Sequence, residues 1–196
     1  MAYTRGFVNV PVEWLELDPA TSSGPGHYSP EQYRLFMEHV PEIHRRLLAG
    51  QTDQEFHHMM EVPANQEERE IGETYRNLFT DSASAEPLRA TFVDGQGLVV
   101  DKGQHRVIAS RELQLPSVPV QVQTSDPGTF YRIRAAAEEQ LARTSPDQAH
   151  LVDIYREYDK HLVPDRSPIP SPERRLGPER LEVVRERGWS PTELER

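Results

Sequence analysis

Between Glu86 and Thr124 the chain reads EPLRATFVDGQGLVVDKGQHRVIASRELQLPSVPVQVQT, and that order of residues leaves few folds open. LRATFV is rich in β-branched and aromatic side chains and reads as a strand. DGQG is a turn signal that returns the chain into a short buried strand, LVV. Gly103 ends that run. QHRVIASREL then takes over as a helix with Val107, Ile108 and Leu113 facing in, and VPVQVQ alternates as a further strand. Strand, turn, strand, helix and strand follow in this order in under forty residues.

The junction of strand and helix, Gly103-Gln104-His105-Arg106, carries the chemistry. A helix start has unpaired N–H groups and a partial positive charge, so it suits an anion. Gly103 lets a ligand approach the backbone with no Cβ in the way. An arginine in the first turn runs against the helix dipole, which favours an acid there. A bound phosphate resolves the mismatch, with Arg106 forking onto its oxygens and His105 donating to another. The plainer alternative pairs Arg106 with an acid such as Asp101 or Glu112 and leaves His105 on the surface. Spacing alone ranks the two equally.

Around this unit the signals are mainly helical. FVNVPVEWLEL, from Phe7 to Leu17, reads as an extended edge interrupted by proline, with Phe7, Val10, Val12, Trp14 and Leu15 as its apolar set. Ser29, Pro30 and Gln32 form a helix-start signature. Tyr33, Phe36, Met37, Val40, Ile43 and Leu47 follow at helical spacing. Pro41 should kink or divide that helix, and Gly50 should close it. A second helix is expected around residues 66–79, with Ile71, Tyr75, Leu78 and Phe79 on one face. Two more helices follow Asp126, the second started by Ser145, Pro146 and Gln148 in the same capping pattern. The domain is expected over residues 1–126, a helical extension over 127–163, and a tail rich in proline and charge over 164–196. Within the tail, residues 178–187 form one short helical candidate.

Composition excludes several classes. The chain has 196 residues and no cysteine, so disulfides, thiolate metal sites and cysteine nucleophiles are ruled out. No segment approaches the ~20 apolar residues of a membrane span, and the N-terminus shows no signal-peptide pattern. A soluble, cytoplasmic protein is expected. The formal net charge of −10 would repel a polyanion over most of the surface and argues against generic DNA binding. No metal site is expected. His57 and His58 are adjacent and point about 100° apart on a helix, while His39 and His44 miss the i, i+4 spacing of paired ligands. Tyr131, with Ile133, Leu141, Ile154, Tyr155 and Tyr158, reads as core.

The 86–124 stretch resembles the ParB/sulfiredoxin-like family. That family's pattern is a strand after a proline, a turn, a strand ending in Gly-x-x-Arg-x-x-Ala, a helix, and a VPV strand. Here it falls on Pro87, Gly103, Arg106, Ala109 and Val118-Pro119-Val120. The resemblance implies an α+β fold, a small mixed sheet with flanking helices and a Pro-rich helical C-terminal extension. It also implies that Gly103, Gln104, His105 and Arg106 cradle the phosphates of a nucleotide, CTP as in ParB or ATP as in sulfiredoxin and related small-molecule kinases, with Mg²⁺. Gln104 stands where sulfiredoxins carry cysteine, so their chemistry is excluded. The Glu-Asn-x-x-Arg type motif that follows in ParB has no clear counterpart after Thr124, and no helix-turn-helix is evident.

A phosphotransferase or NTPase would need a carboxylate base. Asp101, Asp94, Glu13 and Glu16 are candidates by residue type, and nothing in the sequence selects among them. Two alternatives accompany the enzyme reading. One is a non-catalytic interaction or regulatory module of a plasmid or mobile element, with a protein partner docking through the C-terminal tail. The other is a ParB-like nuclease, for which no carboxylate cluster is visible.

Overall fold

The computed structural model describes residues 4–17, 28–80, 85–149 and 151. Five strands form one mixed sheet: β1 (Thr4–Pro11), β2 (Leu15–Leu17), β3 (Arg89–Val93), β4 (Gly97–Lys102) and β5 (Ser117–Thr124). Their spatial order is β1-β5-β3-β4-β2. β1 runs antiparallel to β5 and β3 antiparallel to β4, while β3 is parallel to β5 and β2 to β4. The α+β expectation holds.

One segment supplies both edges of this sheet. Pro11 ends β1, a 3₁₀ turn covers Val12–Trp14, and β2 starts at Leu15. Four residues reach at most about 14 Å, whereas five flat strands set their outer pair about 19 Å apart. The sheet must therefore curl toward closure. Two contacts hold the bend: the Val12 N–H donates to the Pro116 carbonyl at 3.3 Å, and Arg111 Nη2 donates to the Leu15 carbonyl at 2.5 Å. Trp14, expected in the extended edge, lies in this turn and is only partly buried.

The helices are α1 (Pro30–Glu38), α2 (Val40–Leu48), α3 (Asp53–Glu61), α4 (Gln66–Phe79), α5 (Gln104–Glu112), α6 (Pro127–Thr144) and α7 (Pro146–Ala149). Pro41 divides the first long pattern into α1 and α2. Ser29 and Gln32 complete a reciprocal capping box at α1. The helix α3 was not expected, since only Phe56 and Met59 bury on it, too few for a clear apolar period. Its start is a full capping box between Thr52 and Glu55. It folds back on α4, where Phe56 stacks on Tyr75 at 4.0 Å and Gly72 lets the two backbones approach.

Both α4 and α6 pack on β5, and all eight β5 residues are buried, the polar Gln121 and Gln123 included. Gln121 is accounted for by the Arg89 guanidinium, which donates to its Oε1 at 3.2 Å. At α7, Gln148 does not cap with its side chain. Its Oε1 accepts from Ser117 at 3.1 Å, which ties α7 to β5. Tyr131 departs from the expected core row and is 54% exposed, while Ile133 and Leu141 are fully buried. Ile154, Tyr155, Tyr158, the 164–196 tail and its helical candidate lie outside the described residues. None of the described helices is long and apolar enough to cross a membrane.

Candidate functional site

The Gly103–Arg106 junction sits where β4 meets α5. Gly103 has φ +94°, a left-handed conformation that disfavours any side chain. A Cβ there would also lie 2.4 Å from Leu88 Cδ2, so close packing of Leu88 reserves this position for glycine a second time. Gly103 cannot cap α5 with a side chain, and the first turn holds no acid. The start of α5 is thus electropositive by dipole and by composition.

Arg106 is buried, and its partner is neither of the acids expected. Its Nη1 donates to the Glu86 carbonyl, and its Nη2 lies 3.7 Å from Glu86 Oε2. Lys102 Nζ lies 3.5 Å from the other carboxylate oxygen of the same residue. Burial pulls the Arg106 guanidinium below its ordinary pKa. Glu86 opposes that pull, followed by the phenols of Tyr33 and Tyr28. Arg89 stands opposite Lys102 across the β3–β4 ladder. In a chain of strong negative charge, two cations, Lys102 and Arg106, flank the Glu86 carboxylate at this end of the sheet.

The side chains of the other two junction residues make contacts of their own. The Gln104 side-chain amide folds back onto the carbonyls of Val100 and Asp101, at 3.3 and 3.4 Å. His105, for which a phosphate contact and a plain surface position were both open, is half-buried and stacks on Tyr33 of α1, with ring centroids 5.2 Å apart and planes 17° from parallel. This stack is one of the contacts that fix α1 against α5.

The candidate carboxylates separate. Asp101 stands two residues before Gly103, and its Oδ2 accepts from Thr91 Oγ1 at 2.5 Å. Asp94 is exposed in the β3–β4 turn, at the far end of β4. Six strand residues at about 3.3 Å each put that turn some 20 Å from the junction. Glu13 is exposed in the 3₁₀ turn, and Glu16 is half-buried on β2. Glu86 is the site residue that sequence reasoning passed over. Its signal was its place next to Pro87, at the entry to the first strand of the motif.

Among the described residues, no three His, Asp or Glu side chains converge on a common cation position. His57 pairs with Glu61 at 3.2 Å on the surface. His44 is fully buried, edge-on to Phe79.

No family model and no curated protein matches this chain. Among solved structures it is similar to the C-terminally truncated chromosome-partitioning protein ParB from Caulobacter crescentus, in a crystal structure complexed with CTP-gamma-S. The TM-score is 0.30 and the identity 12%, over 72% of this chain and 53% of that one. The chain spans about half the length of that neighbour. At such a distance the neighbour's properties stay its own.

Proposed function

We propose that this chain binds the phosphates of a nucleoside triphosphate, CTP or ATP with Mg²⁺, at the β4–α5 junction through Gly103, Gln104, His105 and Arg106, with Lys102 beside them. The observation that carries the reading is the Glu86 carboxylate, spanned by Lys102 at 3.5 Å and Arg106 at 3.7 Å. Two cations already hold one anion beside a helix start whose first turn holds no acid, and both ion contacts are longer than a charge-assisted hydrogen bond. Glu86 is 49% exposed, so it can swing into water and leave the position to a phosphate.

A second reading has its own observation. The Arg106 bond to the Glu86 carbonyl is structural, and it would exist in a domain that never meets a nucleotide. The two readings differ at Lys102, which is half-exposed and has no such backbone partner among the contacts described. Calorimetric titration with CTP, ATP and GTP, each with Mg²⁺, should show binding that Lys102→Ala weakens about tenfold or more. Equal affinity in the variant, or no binding by the parent, leaves the junction as a structural turn. If phosphate is released, Asp101 is the base to substitute, because it stands at this end of β4.

A further inference from the structure

A continuous run of aromatic rings leads away from the junction. His105, in the first turn of α5, stacks on Tyr33 at 5.2 Å. Tyr28 meets Tyr33 edge-on at 5.6 Å and Phe36 at 5.9 Å. Tyr33 at the centre of this run is buried and His105 and Phe36 are half-buried, whereas Tyr28 at its outer end is 48% exposed. Each ring braces the next, so the Tyr28 ring is held in place rather than loose on the surface. Tyr28 touches Tyr33, which stacks on His105 in the same helical turn as Arg106, so the exposed ring and the cation cluster belong to one neighbourhood.

We propose that Tyr28 is the stacking platform for the base of the bound nucleotide, so that the ligand is a nucleotide and not a bare polyphosphate. This rests on the phosphate-site reading above. Two ring-to-ring steps separate Tyr28 from the helix start, a span on the scale of a nucleoside between its base and its phosphates. Every base offers a π face, so this contact alone supplies affinity without choosing among bases. A rigid, half-exposed ring costs little entropy to use, because nothing further has to be ordered when the base arrives.

The test titrates the full chain with Mg²⁺–CTP, Mg²⁺–ATP and inorganic tripolyphosphate, for the parent, Tyr28→Ala and Tyr28→Phe. Tyr28→Ala should lose about 5- to 100-fold in nucleotide affinity, the range of a lost base–aromatic stack, with tripolyphosphate affinity unchanged. Tyr28→Phe, which keeps the ring, should bind nucleotide like the parent. If Tyr28→Ala weakens nucleotide and tripolyphosphate alike, or weakens neither, the platform is refuted and the phosphate site stands. If the parent binds neither ligand, both readings fall together.

Discussion

Substituting Glu86 by Gln tests the electrostatics of the site without touching the backbone contact that holds Arg106. The carboxylate lies 3.5 Å from Lys102 Nζ and 3.7 Å from Arg106 Nη2. Charges that close interact by about 1 kcal/mol in a water-like medium and more where solvent is excluded. Glu86 and Lys102 are both roughly half-exposed, so their pair is worth at most about 1 kcal/mol after screening. An incoming phosphate must displace this internal anion or sit beside it, and either way it meets the same penalty. Glu86→Gln removes that penalty, so tripolyphosphate should bind about fivefold tighter, the equivalent of about 1 kcal/mol. The unliganded variant should melt slightly lower, because Arg106 is buried and loses part of its counter-charge. Adding tripolyphosphate should then raise its melting temperature more than it raises the parent's. Calorimetry and thermal melts at low ionic strength measure both effects. Unchanged or weaker anion binding in Glu86→Gln would refute the view of Glu86 as a stand-in for phosphate.

Three further outcomes follow from the structure. Gly103→Ala meets both a positive φ and the Leu88 side chain, and should cost roughly 2 kcal/mol or more in chemical denaturation; a loss under half of that contradicts the packing described. Gln114 ends α5 at φ +54° without the glycine that such a position favours, so Gln114→Gly should stabilise by up to about 1 kcal/mol, and a destabilised variant would count against that geometry. Burial of His44 outweighs its hydrogen bond with Gln148 and lowers its pKa from 6.5 to about 3. The folded chain keeps this imidazole neutral while the unfolded chain takes up a proton. The stability it contributes is therefore complete above about pH 6.5 and falls by about 1.4 kcal/mol per unit as pH drops toward 3. His44→Leu should flatten the slope between pH 6.5 and 5, and an unaltered slope would contradict the assignment.

The sequence made the sheet's centre legible, because hairpin turn, apolar strand and alternating strand each follow from side chains close in sequence. Capping residues located α1, and the apolar face of Ile71, Tyr75, Leu78 and Phe79 located α4, for the same reason. What stayed hidden depended on contacts between distant segments. The curl of the sheet follows from β1 and β2 lying on opposite edges, and no local pattern records that order. The α3 helix has a capping box at Thr52 and Glu55 but a thin apolar face, and its reason to bury is Tyr75 on the next helix.

At the site, Gly103 was readable as a special backbone position. The need for it was not fully visible, since the Leu88 side chain that fills its Cβ space belongs to another part of the motif. Arg106 was readable as an unusual cation at a helix start. Its partner Glu86 lies twenty positions away and is brought near only when β3 and β4 pair. The stacking of His105 was not readable, because its partner Tyr33 sits on a helix far upstream. Arg106→Ala would remove a cation but also take away the donor to the Glu86 carbonyl, so Lys102 is the better reporter.

The most direct test of the central claim is a backbone ¹⁵N–¹H titration of the full chain with Mg²⁺–CTP and Mg²⁺–ATP. A phosphate site at the β4–α5 junction predicts saturable shifts centred on the amides of Gly103, Gln104, His105 and Arg106. Saturable shifts centred elsewhere, or none with either nucleotide, would contradict it.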